Sequence, residues 1–390
     1  MTNSCHKEMM FAPGRLAPPR PERRSGVTVL EVLFSIGIVT VGLLGVMIIV
    51  PLAGLRTSQG TIADGADRLG RNAIRAFDVY QMRRPDAWAQ LDPTGAAQYI
   101  PFTGGEPFCI DPLYMAANAS KVGIFRFPYL GAGATPVPND VPFMRRISLR
   151  TFPGATLPSA IPGLTGSRIM SVDQAGQFFL GEDDLVFNLP KDRTAPPQQK
   201  FSFDDSASPV TTERLKRQWE GKFSWLATLV PKPGYSSDTY LLSIVVFHRR
   251  EPHVDAERIV DVPSFSTAGY KGVISTGENG GEVVLHAGST WYPRDPKADL
   301  QMKEGEWLML AGYDTATSRG YFQWYRIQTA DAGPVPDTAG TGYDRDLTLF
   351  GRDWPIGVVD VTKAVWMPGV VAVYEKTIRL ENSSLWTDLY

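Results

Sequence analysis

Hydrophobic positions fall into three regimes along the chain. No charge lies between Glu31 and Arg56, and the residues from Val32 to Leu55 are almost wholly apolar. Crossing a bilayer takes about 20 apolar residues, so this run is long enough. Past Arg56 the pattern becomes periodic. Ile62, Ala66, Leu69, Ala73, Phe77 and Tyr80 recur at steps of three and four, one stripe of a helix, while Asp64, Asp67, Arg68, Arg71, Arg75 and Asp78 occupy other positions. Met82-Arg83-Arg84-Pro85 supplies a stop, with cations at the end and proline after. The pattern predicts a helical segment over residues 27–84, transmembrane over 27–55 and amphipathic over 56–84, with Met82 as the last helical residue. Such a helix is about 80 Å long at about 1.5 Å per residue, half of it in lipid and half packing its stripe on a folded head.

The third regime, residues 85–390, has short apolar runs broken by turn residues. Glycine and proline number 37 and 31 of 390 residues, above the usual share of about 12%. Residues 85–220 read as loop-rich, with strands at 177–180 and 184–188 and a short helix at 211–219. Strands are clearer over 221–390. Residues 223–230 and 240–249 flank Pro231-Lys232-Pro233-Gly234 as an antiparallel pair would. Residues 272–276 and 282–286 flank Glu278-Asn279-Gly280-Gly281, and Asn-Gly is the strongest short hairpin signal. Residues 306–311 and 321–329 form another pair, followed by strands at 346–350, 364–367 and 370–380. The expected fold class is α+β: a long N-terminal transmembrane and amphipathic helix packed on an antiparallel β-rich head, the head dividing near 220.

The start of the apolar run carries two further features. Arg23 and Arg24 stand just before Ser25-Gly26, and a single carboxylate, Glu31, lies five residues after Gly26. A carboxylate in hydrocarbon costs about 2.5–3.5 kcal/mol at the helix centre and less near its end. Two arrangements would offset that cost. Thr28-Val29-Leu30-Glu31 fits a capping box, in which Glu31 satisfies a backbone N–H at the helix start. Alternatively the chain is cut after Gly26, and Glu31 pairs with the new α-amine of Val27 on a neighbouring subunit.

Gly26-Val27-Thr28-Val29-Leu30-Glu31-Val32-Leu33 resembles the prepilin N-terminal cleavage and methylation motif of type IV pilins and type II secretion pseudopilins. The following Ser35-Ile36-Gly37-Ile38-Val39-Thr40-Val41-Gly42-Leu43-Leu44-Gly45-Val46 is most similar to PilV-type minor pilins and I-type minor pseudopilins. The resemblance covers about 35 residues and does not reach the head. One departure is Val27, where the family usually has Phe. The family's prepilin peptidases chiefly require the glycine, so cleavage between Gly26 and Val27 is still implied. The resemblance further implies that residues 1–26 are a leader that is removed, that Val27 is N-methylated, and that Glu31 serves subunit assembly. The implied partners are other pilin or pseudopilin subunits, a prepilin peptidase, an inner-membrane assembly platform and membrane lipid. It places the protein as a single pass in the inner membrane with a periplasmic head, and in a surface filament or pseudopilus once assembled. On this reading Gly37, Gly42, Gly45 and Pro51 are sites of local melting in a filament or tolerated kinks, with equal weight.

Charge agrees with that orientation. Residues 1–26 hold Lys7, Arg15, Arg20, Arg23 and Arg24 against Glu8 and Glu22, a net +3, which keeps this end cytoplasmic. A secretory signal fits less well, since its apolar region spans about 7–15 residues and ends in an A-x-A-like site. A lipoprotein signal fails because no cysteine follows the run. The whole chain carries −2, so the chain without its +3 leader carries −5, which argues against a nucleic-acid platform outside a local patch such as Arg249-Arg250.

Chemistry is sparse. Cys5 falls in the leader, leaving Cys109 alone and expected as a small buried hydrophobe. His6 is also lost with the leader. His248 and His253 are weak metal candidates beside His286, with no HExxH motif and no G-x-S-x-G elbow. Glu182-Asp183-Asp184 lacks spaced calcium ligands and reads as a solvated turn. Trp307, Tyr321, Trp324 and Tyr325 read as core. No catalytic residue, metal or cofactor is assigned, and an enzymatic role is set aside. The expected function is a minor pilin or pseudopilin, a structural subunit. The alternative is a binding module at a filament tip on the same anchor, an adhesin or a cargo receptor, which the size of the head favours.

Overall fold

Helix α1 runs from Val29 to Val79 without a break. In this computed structural model the described residues are 26–91, 97–98, 104–119, 121, 123–130, 141–149, 169–181, 185–187, 217–219, 222–250, 252–253, 256–263, 280–288, 295–314, 319–337, 340, 342–354 and 359–381. Two units make up the chain, residues 1–59 and 60–390. Residues 26–61 are exposed throughout.

Within the second unit α1 buries the expected stripe. Ala66, Ala73 and Phe77 join a core with Trp225, Leu229 and Ile244, and Leu69 packs against it half-buried. Tyr80 ends the stripe exposed, its ring edge-on to Phe178 at 4.6 Å between centroids. The helix stops at Val79 rather than Met82: Gln81 turns with φ 55, and Met82 N–H reaches back to the Phe77 carbonyl at 3.0 Å. Gly70 lies on the buried face, and a Cβ there would sit 2.1 Å from the Tyr374 ring. Absence of a side chain is what lets the helix close on the sheet. Gly70→Val should therefore destabilise the protein by about 1–3 kcal/mol through overpacking. Gly60→Val, which meets nothing within 4 Å, should not. Thermal unfolding of the two variants in detergent checks this, and equal midpoints would refute the contact.

The strands follow in chain order: β1 (Trp88–Leu91), β2 (Ala97–Gln98), β3 (Phe108–Ile110), β4 (Arg126–Phe127), β5 (Met144–Leu149), β6 (Leu185–Phe187), β7 (Arg217–Trp219), β8 (Phe223–Pro231), β9 (Thr239–His248), β10 (Arg258–Asp261), β11 (Gly280–Gly288), β12 (Trp307–Asp314), β13 (Gly320–Ala330), β14 (Val335–Pro336), β15 (Gly342–Phe350), β16 (Val359–Trp366) and β17 (Val370–Arg379). Short helices α2 (Pro112–Ala117), α3 (Val172–Phe179) and α4 (Pro296–Asp299) lie between them. The first sheet has the order β17-β9-β8-β3-β5-β1-β2, with β4 on β5. Its pairings are antiparallel except β3 with β5, which are parallel because α2 carries the chain back between them. In the second sheet, order β11-β10-β16-β12-β13-β15, strand β15 pairs again with β11 from Gly280↔Phe350 to Gly288↔Gly342. That pairing closes a six-stranded antiparallel barrel, and β14 adds to β15.

Strands β8 and β9 are buried on both faces. Trp225, Ala227, Leu229, Leu242, Ile244 and Val246 face α1, whereas Leu226, Val245 and Phe247 face the barrel. Met309, Ala311, Trp324 and Val365 meet them from the outer face of β12, β13 and β16. Their neighbours Leu308, Leu310, Tyr325, Ala364 and Trp366 fill the barrel. Burial on both faces is why 240–247, with Ser243 its one polar residue, reads as a near-continuous apolar run rather than an alternation. Trp324 donates from Nε1 to Thr228 Oγ1 at 3.2 Å, tying the layers together.

The body is thus β-rich with a long apolar N-terminal helix, an α+β arrangement, and the expected pairs 223–230 with 240–249 and 306–311 with 321–329 are present as β8–β9 and β12–β13. The sheets also depart from the sequence pattern in places. The parallel β3–β5 pair departs from an all-antiparallel head. Residues 177–179 are helical, the end of α3, because Ser171 and Gln174 form a capping box ahead of them. Residues 217–219 are strand β7 paired with β6, not helix. Gly280 and Gly281 lie in β11 opposite β15 rather than in a turn, and 272–276 lie outside the described residues. Strands after 220 are divided between both sheets, with β8, β9 and β17 in the first.

Candidate functional site

Val27 is exposed, and the helix begins two residues later. Glu31 sits in its first turn, where a carboxylate is favoured by the N–H groups and the helix dipole. One half of the capping box is formed: Glu31 N–H donates to Thr28 Oγ1 at 3.4 Å and to the Thr28 carbonyl at 3.0 Å. Gly26, Val27 and Glu31 therefore fall within a turn and a half of one another at the exposed head of the helix.

The helix is long and apolar enough to cross a membrane. Three of its hydroxyls bond back along the helix. Ser35 Oγ donates to the Glu31 carbonyl at 2.8 Å, Thr40 to Ile36 at 2.7 Å and Thr57 to Ala53 at 2.9 Å. Such back-bonding is what hydroxyls need where water is absent. Pro51 lies inside the helix and has no N–H for the Met47 carbonyl. Chemically, this element offers an apolar surface for lipid or another apolar helix, with one carboxylate at its end.

The other candidates resolve into structure. Cys109 is a fully buried free thiol, pushed up in pKa by burial. His248 stacks near Phe223, with ring centroids 5.1 Å apart, and His286 Nδ1 lies 2.7 Å from Asp344. No group of three or more His, Cys, Asp or Glu among the described residues is placed to hold a metal. Trp324 and Tyr325 are buried core, and Trp307 and Tyr321 pack against it half-buried. Glu182-Asp183-Asp184, Cys5 and His6 lie outside the described residues.

Arg250 does not belong to the local basic patch that the sequence left open at 249–250. It is buried and grips Asp111 with two bonds of 2.9 and 2.5 Å. Arg146 from β5 pairs with Glu257, stands 3.8 Å from Asp111, and lies 3.6 Å over the Tyr114 ring. Glu257 also accepts the Tyr129 N–H at 2.7 Å. Asp111 caps α2 by accepting from Tyr114 N–H at 3.3 Å. Two cations and two anions thus meet in the interior, at most 3% exposed. Burial raises the Glu257 carboxyl against the pull of Arg146. Burial also acts on Asp111, but the Arg250 charge and hydrogen bonds outweigh it and hold that carboxyl below its ordinary range. The cluster joins the first sheet to the segment entering β10, a structural role. Of its members only Asp111, before Pro112, carries a local signal, that of a helix cap.

Compared with known proteins, the chain matches no family model, no curated protein and no solved structure.

Proposed function

We propose that the protein is a minor pilin or pseudopilin, cut between Gly26 and Val27, held in the membrane by the apolar part of α1 and assembled through Glu31. The observation that carries the reading is one carboxylate, five residues after Gly26, at the head of an exposed apolar helix that continues into a β-rich body. The helix dipole alone would accept a carboxylate there, and the glycine five residues before it is what ties it to cleavage and assembly. In a filament, Glu31 would meet the α-amine that cleavage creates on the next subunit, in a setting where lipid and apolar helices exclude water. The leader's +3 charge orients the head away from the cytoplasm. A tip position on the same anchor is the second reading, and the barrel carried beyond the first sheet favours it.

N-terminal sequencing of the membrane-extracted protein tests the proposal. The mature chain should begin at Val27, with a methylated amine. A start at Met1 or near Gly54 would overturn the pilin reading. Gly26→Val should leave the precursor uncut, because a branched side chain keeps a protease from the backbone.

A further inference from the structure

A group of arginines stands apart from the chain's negative balance. Strands β4 and β5 set Arg126 directly opposite Arg145. Side chains so paired have Cβ atoms about 4.5–5.5 Å apart, and like charges there are unfavourable. The Arg126 guanidinium lies 4.8 Å from the centroid of the Phe143 ring and 5.4 Å from that of Phe125. Phe143 itself is exposed. Arg319, also exposed, joins from the start of β13: its Nη1 packs where a Cβ on Gly105 would fall, and the adjacent Gly320 lies beside the Phe143 carbonyl. Glu106 stands 3.5 Å from Arg145, while Arg126 and Arg319 have no carboxylate partner among the described residues. An arginine laid on aromatic rings keeps its N–H edge outward, the edge that grips a carboxylate in two parallel bonds.

The barrel carries the converse. Its β12 and β16 side packs on the first sheet, so the β11 and β15 side, across the ring, faces away. There Glu282, Asp331 and Asp346, all exposed, line a cleft of about 190 Å³ with Val284, Thr329 and Thr348. A β-bulge between Ile327 and Thr329 displaces β13 beside it.

We propose that Arg126, Arg145, Arg319 and Phe143 dock on the acidic cleft of a second copy of this chain. The two surfaces are complementary in charge and lie on different faces of one head. Their contact is therefore heterologous and repeats from copy to copy instead of closing a pair. The proposal needs neither leader cleavage nor Glu31, so its failure leaves the pilin reading standing and the converse also holds.

The test is self-association of the full-length protein in detergent, followed by sedimentation. Wild type should associate at about 0.1 M salt and weaken at about 1 M, where the screening length falls from about 10 Å to about 3 Å. Arg126→Glu with Arg319→Glu should raise Kd at least about tenfold, as should Glu282→Lys with Asp346→Lys. Mixing the two reversed variants should restore association, since each then meets an opposite charge. Should a reversal fail to fold, Arg126→Gln with Arg319→Gln carries the same expectation with a smaller change. A wild type that stays monomeric, a loss from the arginine side alone, or a mixture that does not recover would each overturn the proposal.

Discussion

Arg146→Met should remove about 3–5 kcal/mol of stability from the full-length protein, the cost of breaking a buried ion pair. The substitution keeps most of the volume but leaves Glu257 and Asp111 in the interior with Arg250 as their only cation of the cluster. Arg146→Met with Glu257→Leu should recover much of the loss, because a well-packed apolar pair avoids desolvating either charge. Chemical unfolding of the three proteins in detergent gives the comparison. A loss below about 1 kcal/mol for the single change would mean that water reaches the site, against the burial described above. The pH dependence has two parts of opposite sign. Asp111, lowered in the folded protein, contributes stability that is present above its unfolded pKa and lost as pH falls through its folded value. Glu257 is raised, so the folded protein holds its proton more firmly, and its contribution improves as pH falls through the folded value. Asp111→Asn should therefore flatten the acid limb of the stability curve, whereas Glu257→Gln should steepen it.

Glu31→Gln separates the two roles open to that residue. If Glu31 only caps its own helix, glutamine serves as well, since it also occurs at that capping-box position. If it pairs with the Val27 amine of a neighbour, losing the charge strands a cation in a low-dielectric setting, again at about 3–5 kcal/mol. The expected result is normal cleavage and membrane insertion with sharply reduced incorporation into the filament or its priming complex. Cross-linking and co-purification of the mutant with its partner subunits, at equal expression, give the measurement. Undiminished co-assembly would reduce Glu31 to a cap.

Legibility in the sequence follows the range of the interactions. The apolar run, the stripe on α1 and the β8–β9 and β12–β13 pairs rest on neighbours within a few turns or across one short connection, so periodicity and turn residues reveal them. Closure of the barrel depends on β11 meeting β15, whose residues are remote in sequence, and nothing in Gly280–Gly288 specifies that partner. The buried cluster was illegible for a related reason. Arg146, Arg250 and Glu257 look like surface charges until the fold brings them together. Gly70 reads as a weak point in a helix, and only the Tyr374 ring above it shows that a side chain has no room. At the N-terminal site the residues are local and legible, because the motif, the apolar run and the cap all fall within a few turns of one helix.

The barrel interrupts the first sheet at a single point. The chain leaves at the end of β9 and returns at the start of β17, where His248 N–H bonds the Gly369 carbonyl at 2.8 Å and Val370 lies opposite Phe247. More than a hundred residues depart and come back through a doorway one hydrogen bond wide. The pairing of β17 with β9, and with it the floor on which α1 rests, is set without reference to what is built between them. The outer module can be exchanged, enlarged or reshaped provided that whatever replaces it still covers Leu226, Val245 and Phe247 and still supplies partners for the buried Asp111 and Arg146.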